Sequence, residues 1–129
     1  MKFLLDTHTF LWALRSPDEI ADRARTILTD PGSHLLISIA TPWEIAIKYR
    51  TGKLKNVSNL LDDFESQVTA GGFHIVETSV KQVIRSGRFP LHHKDPFDRM
   101  LIAQALDLDV PILSCDEIFD LYGVRRVWN

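Results

Sequence analysis

Five short apolar runs, at 2–5, 34–39, 73–76, 110–114 and 124–128, alternate with segments of helical periodicity along this chain. A parallel sheet needs this pattern. Its strands are buried on both faces and read as continuous apolar runs, and its crossovers are helices. The alternation therefore predicts an α/β fold built from βαβ units. Two of the runs end abruptly in an acid: Phe3-Leu4-Leu5 into Asp6, and Ile112-Leu113-Ser114-Cys115 into Asp116. If both are strands of one parallel sheet, both acids emerge at its carboxyl edge, where open α/β sheets place ligand sites. Two carboxylates brought together from opposite ends of a chain suggest a metal site or an acid-base site.

At 129 residues, one domain spanning 1–129 is expected. The chain is 45% hydrophobic and 25% charged, enough apolar material for a core. Its formal charge of −2 gives no global basic footprint for nucleic acid. A polyanionic substrate is still compatible, because acids bound to cations would tip the balance positive. Cys115 is the only cysteine, so an intramolecular disulfide is impossible. Asp6 interrupts the first apolar run before a signal-peptide core could be completed, and no stretch approaches a membrane span. A soluble, cytoplasmic protein is expected.

Helix starts are legible. Ser16-Pro17-Asp18-Glu19, Thr41-Pro42-Trp43-Glu44 and Asp95-Pro96-Phe97-Asp98 each combine a capping residue, a proline at the first helical position and an acid at the third. Helices are predicted to start near residues 17, 42 and 96, the second running to about Gly52 and the third to about Leu108. The stretch 89–96, rich in proline and histidine, reads as the longest surface loop.

Four acids stand out, each with a plain alternative. Asp6 and Asp116 precede helix-like segments and could simply be N-caps. Glu44 could complete a capping box with Thr41, or pair with Lys48 one helical turn on. Asp98 shares a helix face with Leu101, Ile102 and Ala105 and so points inward from the first turn. A buried carboxylate is costly unless it is paired, hydrogen-bonded or bound to a metal. Asp95 already serves as the cap, which leaves Asp98 free for function. All four sit near helix starts, where free N–H groups favour negative charge. Crowded carboxylates repel one another, and a divalent cation removes that repulsion. Oxygen ligands favour Mg2+ or Mn2+ over zinc.

The remaining polar residues are less specific. His92-His93-Lys94-Asp95 reads first as a solvated loop, with phosphate contact as the functional alternative. Basic residues cluster at 48–55 and 85–99, flanking the acids. They are either solvated faces or a rim that tracks a nucleic-acid backbone. Trp12, Trp43, Tyr49 and Trp128 are expected in the core or at a protein interface, with base stacking as the alternative. Cys115 reads as a strand residue without a basic neighbour to activate it. No glycine loop for phosphate is present.

Taken together, these segments resemble the PIN-domain nucleases, and among them the VapC-like toxins of bacterial toxin–antitoxin pairs. The matching residues are Leu4-Leu5-Asp6-Thr7-His8, Trp43-Glu44-Ile45-Ala46-Ile47-Lys48 with Gly52-Lys53-Leu54, Asp95-Pro96-Phe97-Asp98-Arg99 continuing into Leu101-Ile102-Ala103-Gln104-Ala105, and Leu113-Ser114-Cys115-Asp116. They occur in family order over nearly the whole chain. The resemblance implies a three-layer α/β/α fold with a mainly parallel sheet of about five strands. It implies an endoribonuclease that uses Mg2+ or Mn2+ and a water activated by the ion. It also implies an antitoxin that blocks the site, and often a homodimer. The family's acidic cluster maps onto Asp6, Glu44, Asp98 and Asp116, as catalytic residues and metal ligands alike. Thr7 and Asp95 are possible accessories, and Lys48, His93 and Arg99 possible RNA contacts. Where many relatives carry Asn two residues after the first acid, this chain has His8.

Two other classes compete. A haloacid-dehalogenase-like phosphatase also places an Asp after its first strand, but needs a second Asp two residues later, where His8 stands. A non-enzymatic protein-binding module would use the acids only as caps, and an inward-facing Asp98 argues against it.

Overall fold

The computed structural model describes all residues 1–129. Five parallel strands, β1 (Lys2–Leu5), β2 (His34–Ser38), β3 (Phe73–Val76), β4 (Ile112–Leu113) and β5 (Arg126–Val127), form one sheet in the order β3-β2-β1-β4-β5. The apolar runs of the sequence are these strands: β1 and β3 match their runs residue for residue, and β2, β4 and β5 are shorter than theirs by one to three residues. Seven α-helices connect them: α1 (Thr7–Arg15), α2 (Asp22–Thr29), α3 (Ala40–Arg50), α4 (Ser58–Asp62), α5 (Phe64–Ala70), α6 (Val80–Arg88) and α7 (Pro96–Leu108).

The period-two geometry of a strand divides the apolar residues between two cores. Phe3, Leu5, Leu35, Ile37 and Leu113 face one side, with Phe10 of α1, Ile45 of α3 and Phe64 and Val68 of α5. Leu4, Leu36 and Ile112 face the other, under Leu101, Ile102 and Ala105 of α7. The result is the expected three-layer α/β/α arrangement with a five-stranded parallel sheet. No helix is long and apolar enough to cross a membrane.

The helix starts hold unevenly. Asp95 caps α7 as predicted, its Oδ1 accepting from Phe97 N at 2.8 Å and Asp98 N at 3.1 Å. Ser16-Pro17 opens only one 3-10 turn (Pro17–Glu19), which closes at the buried Ile20, and α2 starts afresh at Asp22. The helix expected from residue 42 starts at Ala40, because Ser38 at the end of β2 accepts from Ala40 N at 3.0 Å. Pro42 is tolerated in that first turn, where backbone N–H groups have no helical partner. Thr41 is thus inside the helix, and the capping box with Glu44 does not form.

β1 lies at the centre of the sheet. The chain leaves it toward β2 and β3 on one side and later returns to β4 on the other. The crevice between the carboxyl ends of β1 and β4 is the topological switch point, the place where such sheets bind ligands.

Candidate metal centre

A cleft of about 440 Å3 opens at that switch point. Asp6, Thr7, Glu44, Lys48, His93, Asp95, Asp98 and Asp116 all line it, with His8, Trp12 and Cys115 at its edges. Six parts of the chain therefore bring their residues to one place: the end of β1, α1, α3, the loop before α7, the first turn of α7, and the segment after β4. Of the nine residues given a catalytic, metal-binding, accessory or RNA-contact role from the sequence, Arg99 alone stands outside the lining.

Asp6 is both cap and site residue. Its Oδ1 accepts from Thr9 N at 2.9 Å, capping α1, and its Oδ2 accepts from the Ser114 hydroxyl at 2.5 Å. Ser114 Oγ in turn accepts from Asp116 N at 2.9 Å. One buried hydroxyl thus ties together the two strand-end acids. The register Leu5↔Leu113 between β1 and β4 sets them side by side. Thr9 adds a second tie, its hydroxyl donating to Leu113 O at 3.1 Å. Burial pushes the Asp6 carboxyl above its ordinary range, against the hydrogen bonds from Ser114 and Thr9. Asp116 is exposed at the rim and caps the 3-10 turn Glu117–Tyr122, its Oδ1 accepting from Ile118 N at 3.1 Å.

Glu44, freed from the cap, is 3% exposed and points into the cleft. The Thr7 hydroxyl donates to its Oε1 at 2.5 Å, and Lys48 Nζ is paired with its Oε2. Burial alone would lower the Lys48 pKa. The hydrogen bond to Glu44 and the charges of Glu44, Asp95 and Asp98 outweigh it and hold the ammonium charged. Lys48 is thereby committed to Glu44, and no lysine or arginine salt bridge neutralises Asp6, Asp98 or Asp116.

Asp98 faces inward as its helix phase predicts, its side chain 17% exposed. Burial pushes its carboxyl up to about 7; the hydrogen bond from His93 opposes the rise, and the charges of Asp95, Glu44 and Asp6 add to it. The His93 Nε2 lies 2.6 Å from Asp98 Oδ2. This differs from the solvated role that an adjacent His-His pair suggests. Tyr122 holds the loop: His93 N donates to its hydroxyl at 2.9 Å, and that hydroxyl donates to Pro90 O at 2.7 Å. Arg99 closes the loop from the other side, its Nη1 reaching His93 O at 3.2 Å and Lys94 O at 3.1 Å.

The donor set fits a divalent cation. His93, Asp98 and Asp116 place ligand atoms within 4.8 Å of one another, and Asp6 and Glu44 line the same cleft. The raised Asp98 carboxyl reflects burial first and the neighbouring charges of Asp95, Glu44 and Asp6 second, and both disfavour a bare carboxylate there. A hard divalent ion supplies that compensation and accepts carboxylate oxygens.

Trp43 is 63% exposed on α3, its ring edge-on to Phe97 at 5.0 Å, so of its two sequence readings the core is excluded and the protein interface is not. Cys115 follows β4 instead of lying in it and is exposed, and burial and the Asp6 charge push its thiol up. Ser114 carried no signal of its own, since its role depends on a partner 108 residues away.

No curated protein matches this chain in sequence. Among solved structures, it is similar to VapBC-1 from nontypeable Haemophilus influenzae, with a TM-score of 0.67 and 16% identity over 98% of this chain and 97% of that one. It is also similar to VapBC2 from Rickettsia felis bound to a promoter DNA fragment, with a TM-score of 0.68 and 14% identity over the whole of both chains. A third similar structure is FitAB bound to an IR36 DNA fragment, with a TM-score of 0.60 and 17% identity over 98% of this chain and 94% of that one. These likenesses establish a shared fold. The sequence model of the PIN domain matches residues 3–124, and with that match the chain belongs to the PIN-domain family.

Proposed function

We propose that this protein is a Mg2+- or Mn2+-dependent endoribonuclease, the toxin of a VapC-like toxin–antitoxin pair, acting in the cytoplasm as one domain over 1–129. The observation that carries the reading is the convergence of Asp6, Glu44, Asp98 and Asp116 in one cleft, with too little positive charge to balance them. PIN domains are nucleases, which supports phosphodiester hydrolysis as the chemistry. The likeness to VapBC and FitAB complexes supports an antitoxin as partner.

In this reading Asp6, Asp98 and Asp116 hold the principal ion, and Glu44 completes the site or holds a second one. A bound divalent ion would neutralise charge on the scissile phosphate and make a water more acidic. The chain's own residues fix the geometry. Ser114 and Thr9 orient Asp6, Thr7 and Lys48 orient Glu44, and Asp95 anchors the helix turn that carries Asp98. Lys48 lines the cleft paired with Glu44, and in this reading an ion that takes over the Glu44 charge would release it to the RNA backbone; Arg99 lies outside the lining and braces the His93 and Lys94 carbonyls. His93 turns its ring to Asp98, so its part lies on the side of the ion. Hydrolysis by water leaves a 3′-hydroxyl and a 5′-phosphate and needs no 2′-hydroxyl. RNA is therefore selected by binding rather than by the reaction. An apolar stripe formed by Ile39, just before α3, and by Trp43 and Ile47 on it is exposed and would suit a homodimer contact.

Sequencing RNA 5′ ends in cells after induction tests the reading. The wild-type chain is expected to produce recurrent new 5′-phosphate ends that Asp98→Asn does not. The same ends from both proteins, or none from either, would refute it.

A further inference from the structure

The fold brings one nitrogen into an otherwise carboxylate centre. His93 Nε2 lies 2.6 Å from Asp98 Oδ2, and it shares with Asp98 and Asp116 a space in which all ligand atoms fall within 4.8 Å. Ligands at about 2.1 Å from one ion stand about 3 Å apart when adjacent and about 4.2 Å apart when opposite. The His93–Asp98 pair at 2.6 Å would open by a few tenths of an ångström to take adjacent positions, and a spacing at the 4.8 Å limit of the group would close by about 0.6 Å to take opposite ones. The loop backbone that carries the imidazole is also held from outside the cluster. Tyr122 accepts from the His93 backbone N–H at 2.9 Å, Arg99 donates to the His93 carbonyl at 3.2 Å, and the Tyr122 hydroxyl fastens Pro90 at 2.7 Å. The side chain itself is 25% exposed, turned from solvent toward the acids.

Resting on the reading of this cleft as a divalent-cation centre, we propose that His93 is a nitrogen ligand of the ion, and that it biases this site toward Mn2+ over Mg2+. Mg2+ keeps oxygen ligands and gives up its waters reluctantly. Imidazole suits transition metals, and Mn2+ accepts both donor types. Three carboxylates alone discriminate weakly between the two ions, whereas one imidazole opposite or beside them favours Mn2+. The loop from Phe89 to Asp95 thus sets which ion the acids hold. Its clamp by Tyr122 and Arg99 fixes the loop backbone at His93, and Asp98 orients the ring, before the ion arrives.

The test reads the metal rather than the activity. The full chain is loaded with one equivalent of Mn2+ and examined by electron spin-echo envelope modulation, and Mn2+ and Mg2+ affinities are measured by calorimetry. The wild type is expected to show imidazole nitrogen modulation that vanishes in His93→Gln. In that variant Mn2+ affinity is expected to fall by about 10-fold or more while Mg2+ affinity changes little. Mn2+ that binds, is lost in Asp98→Asn, and shows no nitrogen modulation in the wild type would overturn this proposal and leave the proposed function standing. Modulation that persists in His93→Gln would place the nitrogen elsewhere, as on His8, and overturn it equally. Failure of the wild type to bind either ion would overturn both readings.

Discussion

Neutralising Asp98 should stabilise the protein in the absence of divalent ions, and increasingly so as pH rises. The Asp98 carboxyl is pushed from 3.8 up to about 7, burial being the largest cause. The folded state therefore holds this proton more tightly than the unfolded chain does. The stability linked to it is complete below pH ~4 and is lost as pH climbs through ~7. At about 1.4 kcal/mol per unit, the shift caps the loss at about 4 kcal/mol. Asp98→Asn removes the titration, keeps the side chain's shape and retains a partner for His93. Urea unfolding in EDTA at pH 4.5 and pH 8 measures both proteins. The variant should gain at least about 2 kcal/mol on the wild type between the two pH values. Adding Mn2+ at pH 8 should return the advantage to the wild type, because an ion that binds only the folded state stabilises by RT ln(1 + [L]/Kd). A stability difference between the two proteins that does not change with pH would refute the claim that Asp98 carries uncompensated buried charge.

Two further predictions probe the supports of the site. Ser114→Ala deprives buried Asp6 of its hydroxyl partner; it should cost about 1–3 kcal/mol in chemical unfolding and lower Mn2+ affinity in calorimetry by about 10- to 100-fold. Trp43→Glu alters a residue that is 63% exposed; unfolding stability should change by less than about 1 kcal/mol, while light scattering shows a smaller dimer fraction at equal concentration.

The layering of the fold was legible because strands buried on both faces leave continuous apolar runs, and here those runs became β1 to β5. The start of α7 was legible for a local reason: Asp95, Pro96 and Asp98 act within one turn. The same grammar misled at Thr41, because Ser38, at the end of the preceding strand, starts the helix two residues earlier. That shift turns Glu44 from a cap residue into a cleft residue, which the local pattern could not reveal. Asp6 and Asp116 proved to be caps and cleft residues at once, so the two readings of each were never exclusive. Ser114 and His93 were hidden for a different reason. Their placement rests on contacts distant in sequence: the β1–β4 register for Ser114, and Tyr122, 29 residues away, for His93. No window of sequence around either residue contains that information.

The central claim is that the four carboxylates form a divalent-cation centre for phosphodiester hydrolysis. The most direct test incubates purified wild type and Asp98→Asn with a 5′-labelled RNA, in Mn2+, in Mg2+ and in EDTA, after circular dichroism has shown both to be folded. Cleavage by the wild type is expected with either ion, giving products that end in 3′-hydroxyl and 5′-phosphate, and none is expected in EDTA or with the variant. Cleavage by Asp98→Asn at the wild-type rate, or cleavage by the wild type undiminished in EDTA, would contradict it.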